Sequence, residues 1–79
     1  MNRNYKEIVN HLIQAYNNGI AKAPAPTQIM ETFLLMQGLN GLLYAAYLCK
    51  DFDTAFEIMK LMTDVEEGVV IQPYNLEGA

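Results

Sequence analysis

The sequence predicts a small all-α protein, made of a helical hairpin, a third helix and an extended C-terminal tail. Three observations favour this class. Apolar residues recur at three- and four-residue spacing in separate segments, as they do on one face of a helix. Pro24 and Pro26 interrupt the chain between the first two segments, because proline removes a backbone donor and keeps the preceding residue extended. The second segment contains residues 32–49, which include no aspartate, glutamate, lysine or arginine.

The first helix is predicted to have Asn4 as its N-cap. Asn4 and Glu7 have the spacing of a capping box, in which each side chain accepts a hydrogen bond from a backbone N–H group of the first turn. The apolar stripe of this helix comprises Tyr5, Ile8, Val9, Leu12, Ile13, Tyr16 and Ile20. Residues 17–19, Asn-Asn-Gly, tolerate the left-handed conformation that closes a helix. The end is expected there, with continuation to Lys22 as the alternative.

The second helix is predicted to span residues 28–49, with Thr27 as its N-cap. Its middle contains Gly38 and Gly41, each of which costs up to about 1 kcal/mol of helix propensity relative to alanine. We therefore expect a compensating feature at these glycines, either a bend of the helix or the close approach of a neighbouring backbone.

Asp51 and Asp53 are both candidate N-caps for the third helix. Gly68 marks its latest end. An end nearer Thr63 is the alternative, because the acidic residues before Gly68 face the negative end of the helix dipole. Residues 69–74 are extended in character and are predicted to pack across the helices.

Composition indicates one folded helical domain over residues 1–79. With 52 % hydrophobic residues and ordinary charge content, the chain lies outside the disordered class. A net charge of −4 opposes binding to duplex nucleic acid, whose phosphates require lysine and arginine. Cys49 has no second cysteine with which to pair, and the first residues lack the apolar core of an export signal. A reducing, cytoplasmic setting is therefore expected.

The second helix is apolar on nearly every side, and such a helix has to be enclosed by other helices, by a partner or by lipid. A chain of 79 residues buries only about 60 % of the surface of its unfolded form, so we expect a second copy to supply the cover. The predicted interface comprises Phe33, Gly38, Leu39, Gly41, Leu42 and Tyr47. A membrane-spanning helix is disfavoured, because Gln37 and Asn40 lie near the middle of the uncharged segment.

The sequence contains no catalytic constellation. His11 is the only histidine and shares a polar helix face with Glu7, so it is predicted to be solvated. Asp51, Asp53 and Glu57 have a spacing that invites a metal, but the remaining ligands and the central glycine of a calcium loop are missing. Helix capping is favoured for these residues. We expect a non-enzymatic protein without cofactor or metal.

Leu42, Leu43 and Ala46 precede residues 50–55, Lys-Asp-Phe-Asp-Thr-Ala. This pattern over residues 39–62 resembles one tetratricopeptide-type helical hairpin, whose turn reads Gly-Asp-Tyr-x-x-Ala, with Lys50 in place of the usual glycine. One such repeat cannot bury a continuous core alone, so the resemblance implies hairpin packing. It favours, as an alternative function, a protein-binding inhibitor or adaptor that blocks a host macromolecule through an apolar helical surface.

A second pattern covers residues 5–47. It consists of a helix, the turn Lys-Ala-Pro-Ala-Pro-Thr at residues 22–27, and a further helix with Leu-Met-Gln-Gly-Leu-Asn-Gly-Leu at residues 35–42. This pattern resembles the small viral (phage) cyclic-nucleotide sponge proteins. The resemblance implies a compact homo-oligomer that sequesters a second messenger of antiviral signalling between its subunits, as a counter-defence.

By that resemblance, the ligand-binding residues would be Tyr5, Lys22 and Thr27. Tyr5 would stack on a base, Lys22 would supply positive charge before the turn, and the Thr27 hydroxyl would contact phosphate. The sequence lacks the arginine that this family carries just after the turn. The residues alone favour Tyr5 as part of the helix-1 core, Lys22 as solvated surface and Thr27 as a helix cap.

Overall fold

The computed structural model describes residues 1–77, in which three α-helices follow one another. Helix α1 spans Arg3–Lys22, α2 spans Ala25–Leu48 and α3 spans Phe52–Glu66. α2 is the central helix, and α1 and α3 both pack against it. Residues 1–77 contain no β-strand. The predicted all-α class is confirmed.

α1 begins two residues earlier than predicted. Its N-cap is Asn2, whose side-chain oxygen accepts a hydrogen bond from the Tyr5 backbone N–H at 3.0 Å. Asn4 lies within the first turn, so its predicted capping role is wrong. The helix continues to Lys22, the alternative end, because Ala23 precedes a proline and is held extended.

α2 begins at Ala25, three residues before the predicted start. Prolines fit its first turn, because the first backbone N–H groups of a helix have no intrahelical partner to lose. Thr27 is therefore not the N-cap; its backbone N–H donates to the Pro24 carbonyl at 2.9 Å. The turn is held by the side-chain amide of Gln28. It donates to the carbonyl of Ile20 near the end of α1 at 3.4 Å and to the carbonyl of the C-cap, Ala23, at 3.2 Å.

The N-cap of α3 is Asp51, one of the two N-cap candidates that the sequence offered. Its carboxylate accepts hydrogen bonds from the Thr54 backbone N–H at 3.2 Å and from the Thr54 hydroxyl at 2.7 Å. Lys50 adopts a left-handed φ of 60° in the turn before it. α3 then runs to Glu66, beyond the earlier end considered from its acidic residues, and Gly68 follows with a φ of 76°.

The core takes side chains from all three helices and from the tail, residues 69–77. Its buried members are Val9, Ile13, Leu35, Leu39, Ile58, Val65 and Ile71. The tail lies along α1, where the Asn10 side chain donates to the Tyr74 carbonyl at 2.9 Å and accepts from the Tyr74 N–H at 2.7 Å. Asn17 donates to the Ile71 carbonyl at 3.3 Å. The tail thus covers the core beside α1, whereas the outward side of α2 stays exposed.

Candidate association face

The outward side of α2 and the adjoining side of α3 carry exposed large apolar side chains, which are here named together the outer face. It consists of Ile29, Met30, Phe33, Tyr44, Tyr47 and Leu48 on α2 and Phe52, Phe56 and Met59 on α3, each 50–75 % exposed. On α2 these positions fall on the opposite side of the helix from the buried Leu35, Leu39 and Ala46. α2 therefore carries apolar side chains both toward the core and away from it.

An aromatic contact joins the two helices of the outer face. The rings of Tyr47 and Phe52 meet edge to face, with centroids 6.2 Å apart and an interplanar angle of 67°, a favoured geometry for aromatic pairs. Because α2 and α3 run antiparallel from this turn, Tyr44 and Phe56 follow about one turn further along each helix. All four aromatic side chains are at least half exposed.

The other end of the outer face lies on the N-terminal half of α2. There Ile29, Met30 and Phe33 line a shallow depression together with Pro26. From residue 32 to the end of α2 no side chain is charged. A partner on this part of the surface would therefore displace water from apolar groups and uncharged amides.

Three of the six predicted interface residues lie on the outward side of α2. Phe33 and Tyr47 are exposed members of the outer face. Gly41 lies between them along the helix and is also exposed, and a Cβ atom built on it would meet no atom within 4 Å.

The other three interface residues face the interior of the subunit. Leu39 is fully buried in the core, which leaves it no surface for a second copy, so it is a core residue. Leu42 is partly buried against the same core. Gly38 packs on α1, since a Cβ atom there would lie 2.8 Å from Leu12 Cδ2. Gly38 is thus approached closely, but by the side chain of Leu12 and not by the neighbouring backbone that the sequence predicted.

The three residues indicated by the sponge resemblance are not brought together within one chain. Lys22 and Thr27 are exposed on either side of the α1–α2 turn. Tyr5 is half-buried near the start of α1, about 25 Å from Lys22 along the helix axis. A ligand that contacts all three types of residue would have to take Tyr5 from a second subunit.

His11 and the acidic side chains are the remaining candidate reactive groups among residues 1–77. His11 is exposed. Within residues 1–77, no group of three or more histidine, cysteine, aspartate or glutamate side chains is placed to hold a metal ion. Hydrogen bonds from the Thr54 hydroxyl and backbone N–H lower the pKa of the Asp51 carboxyl, in agreement with its role as a cap. No helix in the described part of the chain has the length and apolar character to cross a membrane.

Sequence reasoning missed the polar side chains of α1 that hold the tail. Arg3, Asn10 and Asn17 are spaced seven residues apart and each donates to a tail carbonyl. Seven-residue spacing places them on the same side of the helix, and that repeat was the available signal. On a largely polar helix face, such a repeat of polar residues looks the same as a solvent-exposed surface, so it did not indicate a contact with the tail.

Comparisons of the chain with protein-family models, with curated proteins and with solved structures give no match.

Proposed function

We propose that this protein is a non-enzymatic binding protein that functions as a homo-oligomer assembled through the outer face. The observation that supports this is a surface with nine large apolar side chains, each at least half exposed. Its five aromatic side chains, at roughly 200 Å² each when fully exposed, alone supply as much area as the largest apolar patch of a typical monomer, about 300–600 Å². Removing that area from water favours association.

For the ligand, we propose a cyclic nucleotide held between subunits, in a counter-defence role in the cytoplasm. Lys22 and Thr27 support this, since both are exposed at one end of the hairpin and are free to contact phosphate. Tyr5 lies near the other end of α1, so a site that contains both Tyr5 and Lys22 requires two subunits. Because α1 packs on the core side of α2, that site would use a contact between subunits other than the outer face. A cyclic dinucleotide has two bases and two phosphates, which would match two copies of Tyr5 and Lys22.

Analytical ultracentrifugation at micromolar concentration tests the assembly. The wild type is expected to sediment as a dimer or larger, and Tyr44→Ser combined with Phe56→Ser to sediment as a folded monomer. His11→Ser, an exposed change on α1, is the matched control and should leave the assembly intact. A wild type that is monomeric at high micromolar concentration rejects the proposal.

Titration calorimetry against a panel of cyclic di- and trinucleotides tests the ligand class. Tyr5→Ala should weaken binding by roughly one to two orders of magnitude, because stacking on an aromatic ring is worth about 1–3 kcal/mol per base. Lys22→Ala should also weaken it, whereas Lys60→Ala on α3 should not. If no cyclic nucleotide binds, the sponge function is rejected and the homo-oligomer stands. In that case the protein-binding inhibitor or adaptor is the function left to test.

A further inference from the structure

The two glycines in the middle of α2 have different surroundings. Gly38 faces Leu12 of α1, whose Cδ2 atom lies 2.8 Å from the position of an added Cβ. The packing within the subunit therefore accounts for the missing side chain. At Gly41 an added Cβ would meet nothing within 4 Å. Glycine in the interior of a helix is unfavourable, and the subunit alone offers no compensation at this position.

Gly41 lies at the middle of the outward side of α2. Phe33 is eight residues before it and Leu48 is seven residues after it, and both belong to the outer face. The exposed neighbours around Gly41 are two uncharged amides, Gln37 and Asn40, together with Tyr44 and Ala45. Without a side chain at Gly41, a helix from outside could approach the α2 backbone closely, with apolar groups at both ends of the contact.

We propose that a second copy of this chain covers the outer face, with the two α2 helices crossing antiparallel at Gly41 about a two-fold axis. This inference rests on the proposed homo-oligomeric function and specifies its contact. Phe33 and Leu48 lie at nearly equal distances on either side of Gly41. In an antiparallel crossing at Gly41, Phe33 of one copy would therefore contact Leu48 of the second copy, and the two-fold axis would repeat this contact. Each copy has a net charge of −4, and α2 has no charged side chain from residue 32 to its end, so a crossing at Gly41 brings no like charges of the two α2 helices together.

The available area matches a dimer of this kind. The chain exposes 5453 Å², whereas a compact monomer of 8.9 kDa is expected to expose about 4,800 Å². The excess of several hundred Å² approaches the roughly 800 Å² that each partner contributes to a standard interface. The outer face holds most of the strongly exposed large apolar side chains, so a second copy on it would cover most of this apolar area.

Gly41→Leu tests the crossing point by sedimentation equilibrium. The dimer dissociation constant is expected to rise at least tenfold, and Gly41→Ala should give a smaller rise. In dilute solution the Tm of both variants should not fall, because the added atoms meet nothing within the subunit. Asn18→Leu, an exposed change on α1, is the control and should leave the dissociation constant unchanged. A dimer that tolerates Gly41→Leu overturns this inference, while the dimer itself upholds the proposed function.

A cross-linking variant gives an independent result even if Gly41→Leu folds poorly. In a Cys49→Ser background, Gly41→Cys would lie opposite its own copy at the two-fold axis, within reach of the 4.4–6.8 Å Cα separation of a disulfide. Oxidation by diamide should then yield a covalent dimer from Gly41→Cys and none from Asn18→Cys. Absence of that cross-link in a sample that sediments as a dimer overturns the antiparallel crossing. A monomeric wild type overturns both this inference and the proposed function.

Discussion

At the residue scale, the buried side chain of Asn10 forms with the tail the paired backbone hydrogen bonds that a neighbouring β-strand would otherwise form. The Asn10 amide has a donor and an acceptor side by side, and it uses both on the backbone of Tyr74. No other pair of side chain and tail residue in the described chain makes two such bonds. Asn10 thereby fixes where the tail lies on α1 and helps to keep Ile71 in the core.

Asn10→Ala should lower the free energy of unfolding by about 1–3 kcal/mol, because it leaves the part-buried N–H and carbonyl of Tyr74 without their partner. Asn18→Ala, an exposed asparagine of the same helix, should change it by no more than about 0.5 kcal/mol. Urea denaturation followed by circular dichroism measures both. Equal effects of the two substitutions would contradict this role for Asn10.

Asp51 is expected to make stability depend on pH at the start of α3. The Thr54 hydroxyl and backbone N–H donate to its carboxylate and lower its pKa below the ordinary value of 3.8. Because the pKa is lower in the folded state, these bonds stabilise the fold fully above the unfolded pKa, and the stabilisation is lost as the pH falls through the folded pKa. Asp51→Asn keeps a good cap without a titrating group.

The Tm of Asp51→Asn is therefore expected to fall less than that of the wild type as the pH drops below about 3.8. Thr54→Val, which removes the hydroxyl donor, should also reduce the acid-dependent part of the loss. Thermal melts across the acid range provide the comparison. Parallel curves for wild type and Asp51→Asn would show that this cap does not contribute to acid sensitivity.

At the element scale, periodicity predicted the number and order of the helices, and local chemistry was less decisive for their starts. Asn2 and Asn4 are both good caps, and only the packed helix shows which is used. Thr27 looked like the cap of α2, but prolines are tolerated where the first turn needs no donors, so the helix starts before it. The long apolar run predicted that α2 must be covered. The same run could not show that Leu39 is buried in the core while Phe33 is exposed, because burial depends on which sides of α2 contact α1 and α3.

The two glycines of α2 give a direct test of that packing. In dilute protein, Gly41→Ala should raise the free energy of unfolding by up to about 1 kcal/mol, since alanine is the better helix former and the position is open. Gly38→Ala should give a protein roughly 1 kcal/mol less stable than Gly41→Ala, because the terminal carbons of Leu12 have to shift from their rotamer to make room. Chemical denaturation of both variants at the same low concentration measures the difference, and equal stabilities would contradict the α1–α2 packing.

At the scale of the whole molecule, the tail covers one side of the hydrophobic core, whereas the outer face is left exposed. The tail fills the side of the core beside α1, and its Ile71 is buried. The outer face has no such cover within residues 1–77 and exposes aromatic side chains of two helices. A subunit of this construction is stabilised when a second copy binds its folded form only, so its stability should depend on protein concentration.

The Tm of the wild type should therefore rise with protein concentration. At 100 times the dissociation constant, assembly adds about 2.7 kcal/mol, which corresponds to roughly 10–20 °C for a domain of this size. Tyr44→Ser combined with Phe56→Ser should abolish the dependence and keep the Tm of the dilute wild type, because both side chains are exposed in the subunit. Leu39→Ala should instead lower the Tm at every concentration, since truncating a buried leucine costs about 2–5 kcal/mol. Scanning calorimetry over a wide concentration range separates these outcomes, and a wild-type Tm that stays constant would show that the outer face does not drive assembly.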